Sequence, residues 1–124
     1  MSRTRLLVVD DEPAVLDLVV CALSTQGYEV VAVPSPAQAL ELAKVPPYFD
    51  LLLSDVNMPG LRGPELAEQI AQACPSIAVV LMSGQATRQA LPEGARFVSK
   101  PLLLTELYSR VESALKAAAV GHAC

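Results

Sequence analysis

The chain alternates short uninterrupted apolar runs with longer stretches whose apolar residues recur at helical spacing. Leu6-Leu7-Val8-Val9 is too short for a helix and stops at Asp10-Asp11-Glu12, which predicts a strand buried on both faces of a parallel sheet. Pro13 suits a first helical position, and Val15, Leu18, Val19, Ala22 and Leu23 then share one helix face before Gly27 ends it. Val30-Val31-Ala32-Val33 reads as a second strand, and Ser35-Pro36 as the N-cap and first-turn proline of a helix to about Lys44, closed by Pro46-Pro47. Leu51-Leu52-Leu53 is the third strand. Asp55 ends it, and Asn57, Met58, Pro59 and Gly60 break the run. Gly63-Pro64 opens a helix with Leu66, Ala67, Ile70, Ala71 and Cys74 on one face, closed by Pro75. Ile77 to Met82 is a fourth strand ending at Ser83-Gly84, and Arg96 to Ser99 a brief fifth ending at Lys100-Pro101. Leu104, Leu107, Tyr108, Val111 and Leu115 mark the last helix, with Ala117 to Cys124 expected to fray.

Strands alternating with helices imply right-handed βαβ units and an α/β fold, a parallel sheet covered on both faces. In such a sheet ligands bind beyond the carboxyl ends of the strands. Asp10, Asp11, Asp55, Ser83 and Lys100 all fall at those ends, so winding the sheet gathers them in one crevice.

Size and charge narrow the field. A chain of 124 residues suits a single domain, here 1–124 with a core over about 4–118 and a tail over 119–124. The formal charge of −4 leaves no basic footprint, which argues against direct nucleic-acid binding. No apolar stretch reaches membrane-spanning length, and charge interrupts the N-terminus before a signal-peptide core can form, so a cytoplasmic location is expected. Cys21, Cys74 and Cys124 are an odd number without metal-ligand spacing; reduced thiols are expected, with Cys21 and Cys74 as small core residues.

Three carboxylates brought together repel one another unless a cation relieves them. With no His or Cys beside them they suit a hard cation, and Mg2+ takes one or two carboxylates while leaving room for phosphate oxygens. Lys100 adds a point charge, and Ser83 a hydroxyl that can donate to a phosphoryl oxygen. A carboxylate beside such cations is equipped to accept a phosphoryl group. Each residue also has a plainer role: Asp55 capping a turn, Asp10 and Asp11 capping the first helix, Ser83 in a turn with Gly84, Lys100 as a solvated charge. It is the five together, at the ends of four strands, that point to chemistry.

Val8-Val9-Asp10-Asp11-Glu12, Asp55-Val56-Asn57-Met58-Pro59-Gly60, Met82-Ser83-Gly84 and Lys100-Pro101 closely resemble the receiver domain of two-component response regulators. That resemblance implies a flavodoxin-like doubly wound (βα)5 sandwich with strand order 2-1-3-4-5. It makes Asp55 the phosphoacceptor, with Asp11, Asp55 and the backbone carbonyl of Asn57 as ligands of Mg2+, for which Mn2+ can substitute, and Asp10 holding the ion through water. It assigns Ser83 and Lys100 to the phosphoryl group, a cis peptide to Lys100-Pro101, the aromatic switch position to Phe97, and the two variable positions that tune phosphoryl lifetime to Asn57 and Gln85. The implied partners are a cognate histidine kinase or histidine phosphotransfer protein, because His122 is the single histidine and lies in the tail, together with a downstream protein.

The chain departs from that pattern in three places. The crossover between Ser83 and Lys100 is several residues shorter than usual and contains Pro92, so at most a helical stub near Ala86–Leu91 is expected. That face serves as the usual dimer surface of the family, so a monomer or weak dimer is expected. Leu102-Leu103-Leu104 places leucine where a polar cap is common; burial is the ordinary explanation, and exposure at Leu102 and Leu103 would mark a partner surface. Phe97 lacks the tyrosine hydroxyl, so any switching there rests on packing.

Two other functions compete. A phosphorylation-independent scaffold would keep the fold without the chemistry. A Mg2+-dependent phosphohydrolase would need a second acid two residues after its nucleophile, where this chain has Asn57, so slow autodephosphorylation is the most expected of it. Nicotinamide binding lacks a Gly-x-Gly-x-x-Gly after the first strand. The nearness of the first strand to Met1 suits a stand-alone regulator, with a piece of a hybrid kinase or longer regulator as the alternative.

Overall fold

A computed structural model describes residues 3–58, 60–84 and 96–121. Five parallel strands, β1 (Arg5–Val9), β2 (Glu29–Val33), β3 (Leu51–Asp55), β4 (Ala78–Ser83) and β5 (Arg96–Ser99), form one sheet in the order β2-β1-β3-β4-β5. The described helices are α1 (Pro13–Thr25), α2 (Pro36–Ala43), α3 (Gly63–Ala73) and α4 (Leu104–Gly121). The parallel α/β sheet is the one the alternation of runs predicts, and its order is that of the flavodoxin-like doubly wound fold implied by the resemblance to receiver domains. The helical stub expected at Ala86–Leu91 and the tuning position Gln85 lie outside the described residues.

The apolar runs form strands because both sides of each are covered. Leu6 to Val9 and Leu51 to Leu53 have no exposed surface, and their side chains alternate between two cores. Leu6, Val8, Leu51, Leu53, Val80 and Met82 pack under α1 and α4, against Val19, Leu23, Leu107 and Val111. Leu7, Val9 and Leu52 pack on the other face under α2 and α3, against Ala39, Leu66 and Ile70. Each buried leucine contributes about 2 kcal/mol of transfer free energy. The register sets Leu7 opposite Val31 on one side and Leu52 on the other, and Asp55 opposite Met82, so the carboxyl ends of β1, β3 and β4 reach the same edge.

The chain turns where its sequence asks it to. Ser35 Oγ accepts a hydrogen bond from the Gln38 backbone N–H at 3.3 Å, capping α2. Gly27 closes α1 at φ +93°, a backbone angle that L side chains avoid. The peptide bonds before Pro47 and Pro101 are both cis.

Three expectations about packing need correction. Cys21 is exposed, because the inward stripe of α1 is Val19, Ala22 and Leu23 and position 21 falls on the opposite side of the helix; Cys74 is buried as expected, its Sγ donating to the Ala43 carbonyl at 3.4 Å. Leu18 lies at the edge of the α1 stripe with 43% of its surface exposed. The last helix does not fray at Ala117 but runs to Gly121: alanines favour helix, and Ala118 still packs against the core under α1 and α4.

Candidate functional site at the carboxyl edge of the sheet

β1 and β3 each end in the core and deliver acid directly from buried backbone. Asp10 follows β1 and has no exposed surface; Asp55 is the last residue of β3 and retains 7%. Asp11, one residue beyond, is exposed. Asp10, Asp11 and Asp55 each offer a carboxylate oxygen, and these oxygens lie within 4.8 Å of one another. The sequence-derived trio is therefore one cluster, buried on one side and open on the other.

Lys100 comes from the far side of the sheet. Its backbone N–H donates to the Ser83 carbonyl at 2.8 Å, which extends the β4–β5 pairing by one step beyond Ser83 opposite Ser99. From there its Nζ reaches 2.8 Å from Asp10 Oδ2 and 3.5 Å from Asp55 Oδ2. Ser83 itself is buried at the end of β4 beside them. Five polar residues separated by up to 90 positions in sequence thus meet at one edge.

The electrostatics follow from burial and crowding. Burial pushes the Asp55 carboxyl above its ordinary value and the neighbouring Asp10 adds to this, against the opposing pull of Lys100 and of a hydrogen bond from the Asn57 backbone N–H. For Lys100, burial is the largest influence and disfavours its charge, yet Asp10, Asp55 and Glu12 together outweigh it and raise its pKa. Among the described residues, Lys100 supplies the cation in contact with Asp10 and Asp55.

Glu12 has no role in the sequence reading, although it sits in the Asp10-Asp11-Glu12 run. Its Oε1 lies 3.4 Å from Lys100 Nζ. Gly63 was legible only as a helix start; a Cβ there would stand 2.3 Å from the Asp55 carbonyl oxygen, so α3 rests directly on the end of β3. Of the remaining candidates, Asn57 is exposed beside Asp55, and Phe97 is half-buried on β5 opposite Leu81. Leu103 is 64% exposed, while Leu102 packs against the core. Leu102 also lines an apolar groove of about 490 Å³ that runs from Lys100 over Val15 and Leu18 of α1.

A profile of the response regulator receiver domain family matches residues 6–112. The chain belongs to that family. Among its relatives, the receiver is 32% identical over 119 residues to the response regulator receiver protein CpdR of Brucella abortus (strain 2308), covering 92% of this chain and 98% of CpdR. It is 34% identical over 121 residues to the sensor kinase CckA of the same organism, covering 93% of this chain but 13% of the kinase. Among solved structures it superposes on a CheY-like receiver domain protein from Methanospirillum hungatei JF-1 with a TM-score of 0.88 at 27% identity, covering 98% of this chain and 100% of the other. The receiver thus spans nearly all of one relative and a small part of another. It is a receiver domain of the two-component type, and receivers are phosphoacceptors.

The donor set of this receiver fits the Mg2+ that its family implies. Among the described residues the cluster is made of carboxylates, with no His or Cys ligand in it, which suits a hard cation, and the exposed position of Asp11 leaves a side for water and phosphate oxygens. No helix among the described residues is long and apolar enough to cross a membrane.

Proposed function

We propose that this receiver takes a phosphoryl group onto Asp55 from the phosphohistidine of a cognate histidine kinase or phosphotransfer protein, and that the new charge alters a surface read by a downstream protein. The observation that carries this is the position of Lys100 Nζ, within 3.5 Å of the Asp55 carboxylate and anchored on buried Asp10. In the transfer an Asp55 oxygen attacks phosphorus, the bond from phosphorus to the histidine nitrogen breaks, and the electron pair leaves with the imidazole. Lys100 and the Ser83 hydroxyl hold oxygens of the incoming group, which spreads negative charge as it passes between donor and acceptor. Asp11, Asp55 and the Asn57 carbonyl would hold Mg2+, with Asp10 acting through water; the ion supplies neutralisation of that charge.

Phosphorylation adds charge in a site whose balance rests on one lysine, so Lys100 and Ser83 shift toward the phosphoryl oxygens and Phe97, three residues before Lys100 on β5, repacks. Asn57 and Gln85 set how long the group survives. The chain acts as substrate of its partner kinase rather than as an enzyme, beyond slow autodephosphorylation, because Asn57 offers no general acid where a hydrolase would need one. The groove over α1, with exposed Leu103 beyond it, is an apolar surface bordering the acceptor and supports docking of a protein donor there.

The test is intact mass after incubation with acetyl phosphate and Mg2+. Wild type gains about 80 Da, the mass of one phosphoryl group less a proton, and Asp55→Asn gains nothing. A wild type of unchanged mass would instead favour a phosphorylation-independent scaffold.

A further inference from the structure

Three carboxylates face the Lys100 ammonium, from Asp10 at 2.8 Å, Glu12 at 3.4 Å and Asp55 at 3.5 Å. The ammonium donates hydrogen bonds to Asp10 and Glu12, and Asp55 lies within ion-pair distance of it. A phosphoryl oxygen arriving at Asp55 competes with these carboxylates for the Lys100 ammonium. The three are not equal. Asp10 is wholly buried, and stripping its cation would leave a charge unpaired in the core. Asp55 carries the arriving group. Glu12, by contrast, has 61% of its side chain exposed, so water replaces what the lysine supplied and its release costs least.

The backbone holds Glu12 in this place. It is the N-cap residue of α1, yet its side chain does not cap the helix, and its backbone N–H donates to Asp10 Oδ1 at 2.9 Å. Its carboxylate therefore stands on the open side of Lys100, at the rim of the apolar groove.

We propose that Glu12 is a positioning and specificity residue for phosphoryl transfer: it holds the Lys100 ammonium at the mouth of the site until a phosphoryl group displaces it, and its charge disfavours donors that arrive as free dianions. The inference rests on the reading of Asp55 as acceptor. Near neutral pH an acyl phosphate carries about one more negative charge than a phosphoramidate, the class to which phosphohistidine belongs, and so meets the stronger repulsion.

The experiment compares wild type, Glu12→Gln and Glu12→Asp in the full chain with Mg2+, following mass gain from acetyl phosphate and from phosphoramidate across donor concentrations. Glu12→Gln is expected to raise the second-order rate with acetyl phosphate about fivefold, through a lower half-saturating concentration, and to change phosphoramidate less than twofold. Glu12→Asp keeps the charge and should follow wild type, and about 0.5 M salt should shrink the acetyl phosphate difference by screening. In magnesium-free protein the Lys100 ε-methylene NMR signal should move in Glu12→Gln. The proposal is overturned by a Glu12→Gln variant that matches wild type on acetyl phosphate, by equal acceleration of both donors, or by an unmoved Lys100 signal, each with wild type still phosphorylated. A wild type that takes up phosphoryl from neither donor overturns the acceptor reading and this inference with it.

Discussion

Replacing Gly63 with alanine tests whether Asp55, the proposed acceptor, is positioned by close backbone packing. An ideal Cβ at Gly63 would lie 2.3 Å from the Asp55 carbonyl oxygen, 3.0 Å from Val56 Cα and 3.1 Å from the Asp55 carbonyl carbon. Carbon–oxygen contacts of this kind settle near 3.4 Å, so the start of α3 and the end of β3 must separate by roughly 1 Å. All three obstructing atoms are backbone, and the Val56 N–H donates to the Met82 carbonyl at 2.9 Å, so no side-chain rotation relieves the clash. Overpacking of this sort costs about 1–3 kcal/mol, offset by at most about 1 kcal/mol from the better helix propensity of alanine. With the full offset the net loss reaches about 2 kcal/mol at most, and each kcal/mol lost should lower the melting temperature by roughly 4 °C for a domain of this size. Because a misplacement of about 1 Å can cost up to about a hundredfold in a positioned reaction, phosphorylation of Asp55 by acetyl phosphate should slow at least tenfold.

Melting followed by circular dichroism and mass gain with acetyl phosphate and Mg2+ read the two effects separately. Gly27→Ala is the contrast. At φ +93° with nothing within 4 Å it strains the backbone without touching the site, so it should lower stability by about 1 kcal/mol and leave the phosphorylation rate unchanged. A Gly63→Ala protein that melts within a degree of wild type and is phosphorylated at the wild-type rate would refute the packing account.

Two further outcomes follow from the site and its surface. Burial raises the Asp55 carboxyl above its usual 3.8, which means the folded chain favours the protonated acid and stability falls as pH rises through that raised value. Asp55→Asn should therefore be more stable than wild type at pH 7 without divalent cations, with the gap closing as pH falls toward 4; denaturant titrations at both pH values check this, and a variant less stable at pH 7 refutes it. Leu103, 64% exposed, stands at the N-cap of α4 with its carbonyl accepting from the Leu107 N–H, so Leu103→Asp should hold stability or raise it by up to about 1 kcal/mol, and should leave acetyl phosphate labelling intact while slowing transfer from a phosphohistidine protein. Equal protein-to-protein transfer rates would remove Leu103 from the docking surface.

Much of the site could be read from the chain because each of its strands is a short apolar run with a polar residue at its end. Leu6 to Val9 before Asp10, and Leu51 to Leu53 before Asp55, show buried strand and exit point together. Parallel pairing then brings Asp10, Asp55, Ser83 and Lys100 to one edge, whatever the details of the loops. The same logic failed for Cys21 and Leu18. Helical spacing identifies an apolar stripe but not how the helix is rotated about its axis, and in α1 the buried stripe is Val19, Ala22 and Leu23. It also stopped the last helix too early, because the packing of Ala118 against the core under α1 and α4 is a contact between distant segments.

The sequence by itself determined the order of strands and helices, the two-sided burial of the sheet and the acidic character of its carboxyl edge, since these depend on residue type and period. Only the tertiary structure decided which partners Lys100 pairs with, that Glu12 joins Asp10 and Asp55 around it, and that Gly63 is the residue on which the end of β3 rests. Those facts depend on distances between chain segments as much as 90 residues apart, which local pattern does not encode and packing does.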